Sequence, residues 1–126
     1  MKAYLKPFSW EMVQAQNSIL CAAKSAHHGP SSDGFEETKE RWEKERVRMM
    51  SLDESIRFLQ SCHRSAPFCF YNGNTFASIG LLILRGFYLS AEESVIIRSL
   101  AGHIVAGVST GEEEAAFKAF SDSLEE

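Results

Sequence analysis

The hydrophobic pattern is densest between Pro67 and Leu89, where the chain reads PFCFYNGNTFASIGLLILRGFYL and carries Arg85 as its only charge. The segments on either side alternate polar and apolar positions, so they have one dry face and one wet face. A stretch that is apolar on nearly every side belongs inside, with the amphipathic segments packed around it. Its longest greasy run, Phe76 to Leu84, is broken by Ser78 and Gly80 and closed by Arg85. That run is too short for a bilayer, which takes about 20 apolar residues.

The flanking pattern predicts helices. Met1 to Phe8 is a short strap, with Tyr4, Leu5 and Phe8 to hold it down and Pro7 to separate it from the next segment. Ser9 reads as the N-cap of a first helix over about Trp10 to Ala26. Met12, Ala15, Ile19, Ala22 and Ala26 recur at helical spacing and predict a small-residue packing face. His27 to Gly34, HHGPSSDG, is a loop by composition and the best candidate for a mobile segment. Asp33 with Glu36 resembles a capping box for a second helix, about Phe35 to Met50.

That second helix differs from the rest. Ten residues between Glu36 and Arg48 are charged, in alternating signs. Glu37 with Arg41 and Glu40 with Lys44 are spaced as i,i+4 pairs. Its apolar stripe is thin: Phe35, Trp42 and Met49, seven apart, then Val47 and Met50. Most of its circumference should be wet, and its aromatics could form a docking edge.

Three full capping boxes come next: Ser51 with Glu54, Ser90 with Glu93, and Thr110 with Glu113. They open helices over about Leu52 to Arg64, Ala91 to Val108, and Gly111 to the end. Leu52, Ile56, Leu59 and His63 share one face; Ile97, Leu100, Ala101, Ile104 and Val108 share another; Ala116, Phe117, Phe120 and Leu124 a third. Ser65-Ala-Pro67 ends the third helix, because the residue before proline avoids helical angles. Phe68 to Tyr71 alternates like a strand but has no evident partner, so it reads as an irregular buried connection. Asn72-Gly73 signals a turn, after which Asn74 or Thr75 caps the central helix, about 75 to 89. The expectation is all-α: one domain over 1–126, a compact orthogonal bundle of about six helices, with residues 121–126 frayed.

Composition changes this little. The chain has 126 residues, 44% hydrophobic and 24% charged, and a formal net charge of −4. Glu112 to Glu126 holds six acids and one lysine, and no basic stripe exists anywhere. Nucleic acid and anionic membrane are therefore not expected partners. Cys21, Cys62 and Cys69 are odd in number. With no apolar leader at the start, the reading is a reduced, cytoplasmic protein.

Candidate chemistry is sparse. Tyr71, Asn72, Asn74 and Thr75 are polar groups set between aromatic runs at a helix start, where N–H groups can hold an anion or polar ligand. Arg64, Arg85 and His103 could join them. Cys62, His63 and Cys69, with His27 or His28, do not match a familiar zinc spacing, so no metal or other cofactor is expected. A thiol–histidine pair is disfavoured, since Cys62 and His63 are helix neighbours that point apart. No Gly-rich phosphate loop or nucleophile motif appears, which leans against an enzyme. The expected function is a protein-interaction module, binding a partner or itself through Phe35, Arg41, Trp42 and Met49. The alternative is a small-ligand or anion binder, or a minor enzyme, using Arg64, Tyr71, Asn72, Asn74, Thr75 and His103.

Overall fold

A computed structural model describes residues 1–125. Six helices run in order: α1 Trp10–Ala23, α2 Phe35–Glu45, α3 Leu52–Ser65, α4 Asn72–Leu84, α5 Ala91–Ala106 and α6 Gly111–Ser123. Among the described residues there is no strand, only two isolated bridges, Lys2 with Met50 and Pro30 with Phe68. The bundle is therefore all-helical, and α4 sits at its centre against α1, α3 and α5.

The three capping boxes form as read. Ser51, Ser90 and Thr110 each accept from the backbone N–H three residues on, and Glu54, Glu93 and Glu113 each reach back. Each satisfies donors that a helix start otherwise leaves open. Ser9 caps α1 in the simpler way, through the Met12 N–H.

Helices α1, α2 and α4 stop at Ala23, Glu45 and Leu84, short of the expected 26, 50 and 89, and four further boundaries or faces need correction. The buried stripe of α1 is Trp10, Val13, Asn17 and Cys21. Met12 and Ile19, on the face predicted to pack, are exposed. The inward stripe is hidden in the sequence because a polar residue, Asn17, stands at its middle. The cap of α2 is Gly34, not Asp33; its N–H is taken by Ser31 Oγ at 3.1 Å. An added Cβ at Gly34 would lie 2.0 Å from the Ser65 carbonyl oxygen, so only glycine lets α2 start against the end of α3. α4 begins at Asn72, and Tyr71 takes a left-handed conformation (φ 60°) in front of it. Asn72-Gly73 is thus the first helical turn, not a loop. At the other end α5 stops at Ala106, where Gly107 is left-handed, and leaves Val108 exposed.

The aromatic side chains of the expected docking edge on α2 turn inward. Trp42 is 0% exposed. Its ring packs at 5.8–5.9 Å from Phe58 and Phe76. Phe35 packs edge-on to Trp10 and Phe68, while Trp10 stacks on Phe68 at 5.7 Å with 11° between planes. Burying rings of this size is among the largest single contributions a core can make, roughly 2–3 kcal/mol each. Arg41 does not pair with Glu37; its guanidinium donates to the Ser61 carbonyl and Ser65 Oγ on α3. The Phe8 carbonyl accepts from Trp42 Nε1 at 2.9 Å and Arg46 Nε at 3.0 Å, tying α2 to the N-terminal strap. Of the four residues in the predicted set, Met49 alone is exposed, and it lies beyond the helix.

The loop over 27–34 is held by backbone bonds: Ser31 N–H to the Pro67 carbonyl at 2.8 Å, and Cys69 N–H to the Gly29 carbonyl at 3.0 Å. Phe68 and its neighbours therefore do have an extended partner. Of the end expected to fray, 121–126, residue 126 lies outside the described residues. Ser121 is buried and accepts from the Asp53 N–H at 2.9 Å. The N-terminal ammonium pairs with Glu125.

Candidate functional site

A cleft of about 580 Å³ opens where the end of α3, the start of α4 and the end of α5 meet. Tyr71, Asn72 and Asn74 line one side, His63 and Ala66 another, and Gly102 and Ala106 the third. Gly102 has nothing within 4 Å of where a side chain would begin, so open space lies in front of it.

His63 is positioned by its own hydrogen bond. Its Nδ1 lies 2.8 Å from the Val105 carbonyl oxygen on α5. A carbonyl can only accept, so Nδ1 carries the proton there, and Nε2 of the neutral ring carries the lone pair. Nε2 has no partner among the described residues. It sits against the first turn of α4: a Cβ on Gly73 would lie 3.1 Å from it.

The start of α4 is open. Tyr71 provides no side-chain cap, and no acid lies in the first turn. The first bond back is Thr75 N–H to the Tyr71 carbonyl at 2.9 Å. The N–H groups of Asn72, Gly73 and Asn74 find no acceptor among the described residues, and such groups point out of the helix end.

The cleft is rigidly backed. Asn72 accepts from the Phe68 N–H through Oδ1 (2.9 Å) and donates to the Phe68 carbonyl through Nδ2 (2.8 Å). Thr75 is fully buried; its hydroxyl donates to the Tyr71 carbonyl at 2.7 Å and accepts from Asn17 Nδ2 at 3.0 Å. Asn17 also donates to the Phe70 carbonyl at 2.8 Å, and its Oδ1 faces His28 Nδ1 at 2.8 Å. Thr75 thus supports the wall from behind and is not part of the lining.

Of the expected ligand residues, Tyr71, Asn72 and Asn74 line the cleft and the others lie elsewhere. Arg64 is exposed and outside the lining. Arg85 caps the far end of α4, roughly 20 Å along its axis from Asn72 at 1.5 Å per residue. His103 pairs with Glu113 at 2.6 Å on the α5–α6 surface. That bond, with the Thr110 N–H, holds the Glu113 carboxyl below its ordinary range. His63, Gly102 and Asn17 were missed. For His63 a signal existed, since the proline stop at Pro67 places it in the last turn of α3, beside the next helix start.

The thiols do not make a reactive centre. Cys62 is buried, and burial pushes its pKa up to about 12 against the opposing pull of Arg41. Cys21 is buried and Cys69 exposed, with Sγ 3.5 Å from the Pro30 carbonyl oxygen. Among the described residues no group of three or more His, Cys, Asp or Glu could hold a metal ion. No described helix is long and apolar enough to cross a membrane. The lining offers donors, one ring acceptor and an apolar floor, but no hydroxyl–base pair and no carboxylate.

No protein-family model matches the chain, and no curated protein or solved structure matches it.

Proposed function

We propose that the chain is a small cytoplasmic binding protein whose α3–α4–α5 cleft takes a small polar ligand. The observation that carries this reading is the open start of α4 with His63 Nε2 beside it, both lining a cleft of about 580 Å³. Unsatisfied donors and an unsatisfied acceptor at one concave place are what a polar ligand completes. The lining holds no serine, threonine, cysteine, lysine or carboxylate to pair with His63, so binding is favoured over catalysis. Three free thiols suit a reducing compartment.

The test is a set of ¹H–¹⁵N spectra recorded with benzamide, benzoate and inorganic phosphate. At least one should move the Gly73, Asn74 and Gly102 amides saturably. Gly102→Leu would put a side chain into the cleft from a site with no neighbour to clash with, and should abolish the effect while the protein stays folded. If none of the three probes moves those amides, the reading fails.

A second reading keeps protein association, on a different surface from the one first expected. Val95 is 68% and Ile96 59% exposed on α5, with Ala91 beside them and Tyr88 standing free just before the helix. Adjacent bare aliphatic side chains on one helix are a common mark of an interface. Light scattering should show a mass that rises with concentration, and Val95→Ser with Ile96→Ser should remove the rise. A strict monomer through the millimolar range would end this reading.

A further inference from the structure

We infer that His63 makes the cleft selective for ligands that bring an uncharged N–H or O–H donor, and thus for a carboxamide over a carboxylate or phosphate. The inference rests on the ligand-binding reading above and names the chemistry of that site.

His63 reaches this role through one committed nitrogen. Nδ1–H is spent on the Val105 carbonyl at 2.8 Å, so the neutral ring can only accept at Nε2. Turning the ring over would put carbon opposite Val105 and strand a carbonyl, which costs more than the turn gains. Gly73 lets the ring lie close: a Cβ there would be 3.0 Å from Cε1 and 3.1 Å from Nε2. A carboxylate oxygen brought to Nε2 would set lone pair against lone pair, and a phosphate would bring charge that no side-chain cation of the lining meets. An amide N–H would complete the bond.

The rest of the lining points the same way. It contains no Lys, Arg, Asp or Glu, and Tyr71 is its only other titratable group. No side-chain cation is present to offset a buried anion. Two of the three helices end here, α3 at Ser65 and α5 at Ala106. Their carbonyl ends oppose negative charge, against the single helix start that favours it. A carboxamide satisfies both kinds of end, with its oxygen toward the α4 N–H groups and its nitrogen toward His63.

The three-probe titration separates the outcomes. Benzamide should saturate the Gly73 and Asn74 shifts and move the ¹⁵N resonance of His63 Nε2 upfield. Benzoate and phosphate should bind at least tenfold more weakly. His63→Phe keeps a flat ring and should lose about tenfold in benzamide affinity, the scale of one hydrogen bond. If that variant does not fold, the Nε2 resonance of the unaltered protein decides. Benzoate or phosphate binding more tightly than benzamide would overturn the inference while leaving the cleft a ligand site. Benzamide binding with no movement at Nε2 would overturn it too. Silence from all three probes would remove the ligand-binding reading itself.

Discussion

Asn17 and Thr75 meet side chain to side chain at 3.0 Å in a place that water does not reach, both being wholly buried. The bond joins α1 to the first turn of α4. Asn17 also serves the Phe70 carbonyl at 2.8 Å, so one amide holds both sides of the left-handed Tyr71. Asn17→Ala leaves one buried and one part-buried acceptor without a donor. At about 1–3 kcal/mol for each group left unpaired, the variant should lose about 2–4 kcal/mol in urea denaturation. Asn17→Asp should be no better, because it replaces the donating nitrogen with an acceptor. A loss under about 1 kcal/mol would mean the carbonyl and hydroxyl groups find other partners.

Gly34 and Gly102 separate steric need from chain flexibility. At Gly34 a methyl group would collide with the Ser65 and Ala66 carbonyls, at 2.0 and 2.7 Å. Backbone cannot step aside as a side chain can, so Gly34→Ala should cost about 3 kcal/mol. Gly102 lies inside α5 with open space around it. Gly102→Ala should therefore stabilise by about 0.5–1 kcal/mol, the ordinary helix preference for alanine over glycine. Melting curves of the two variants should move in opposite directions.

Glu113 gives a pH dependence of known sign. Its carboxyl is held low, first by His103 and then by the Thr110 N–H, so the folded chain binds its proton less readily than the unfolded chain does. The stabilisation is therefore present above the ordinary carboxylate range and fades as pH falls through the folded value. The stability gap between the unaltered protein and Glu113→Gln should be widest near neutrality and shrink in acid. A gap that widens on acidification would contradict the sign.

Thiol reactivity should track exposure. Cys69 is exposed, whereas Cys21 and Cys62 are buried and the pKa of Cys62 stands at about 12. Since the thiolate is the reactive form, an aromatic disulfide reagent should titrate one thiol quickly in the folded protein and three in denaturant. Cys69→Ser should remove the fast phase. A second fast thiol would show that α1 or α3 opens readily.

Much of this fold is legible because its helix starts are local chemistry. Ser51, Ser90 and Thr110 and their partners three residues on need nothing beyond four consecutive residues, and they form as written. The misleading features depend on distant contacts. Spacing alone turns the Met12 and Ile19 face of α1 inward, since nothing near Asn17 in sequence shows that Thr75 and Phe70 wait for it across the bundle. Phe35 and Trp42 look like a surface stripe until Trp10, Phe58, Phe68 and Phe76 surround them. The α4 start reads late because a tyrosine at positive φ is unusual, and only the asparagine grip on Phe68 and the Thr75 bond to Tyr71 explain how it is kept there. Of the candidate site, the Tyr71–Asn74 wall is readable and its His63 counterpart is not, because the Val105 carbonyl that orients the ring lies 42 residues away.

Asn72 grips both main-chain groups of Phe68 while the ring of that same residue stacks on Trp10. The mouth of the cleft is cross-braced to the aromatic interior, so it has no hinge of its own. Heat should dissolve the two together in one cooperative event. Anything lodged in the mouth then raises the melting temperature of the whole molecule by mass action. A plain thermal-shift screen can thus find an occupant without any assay of activity.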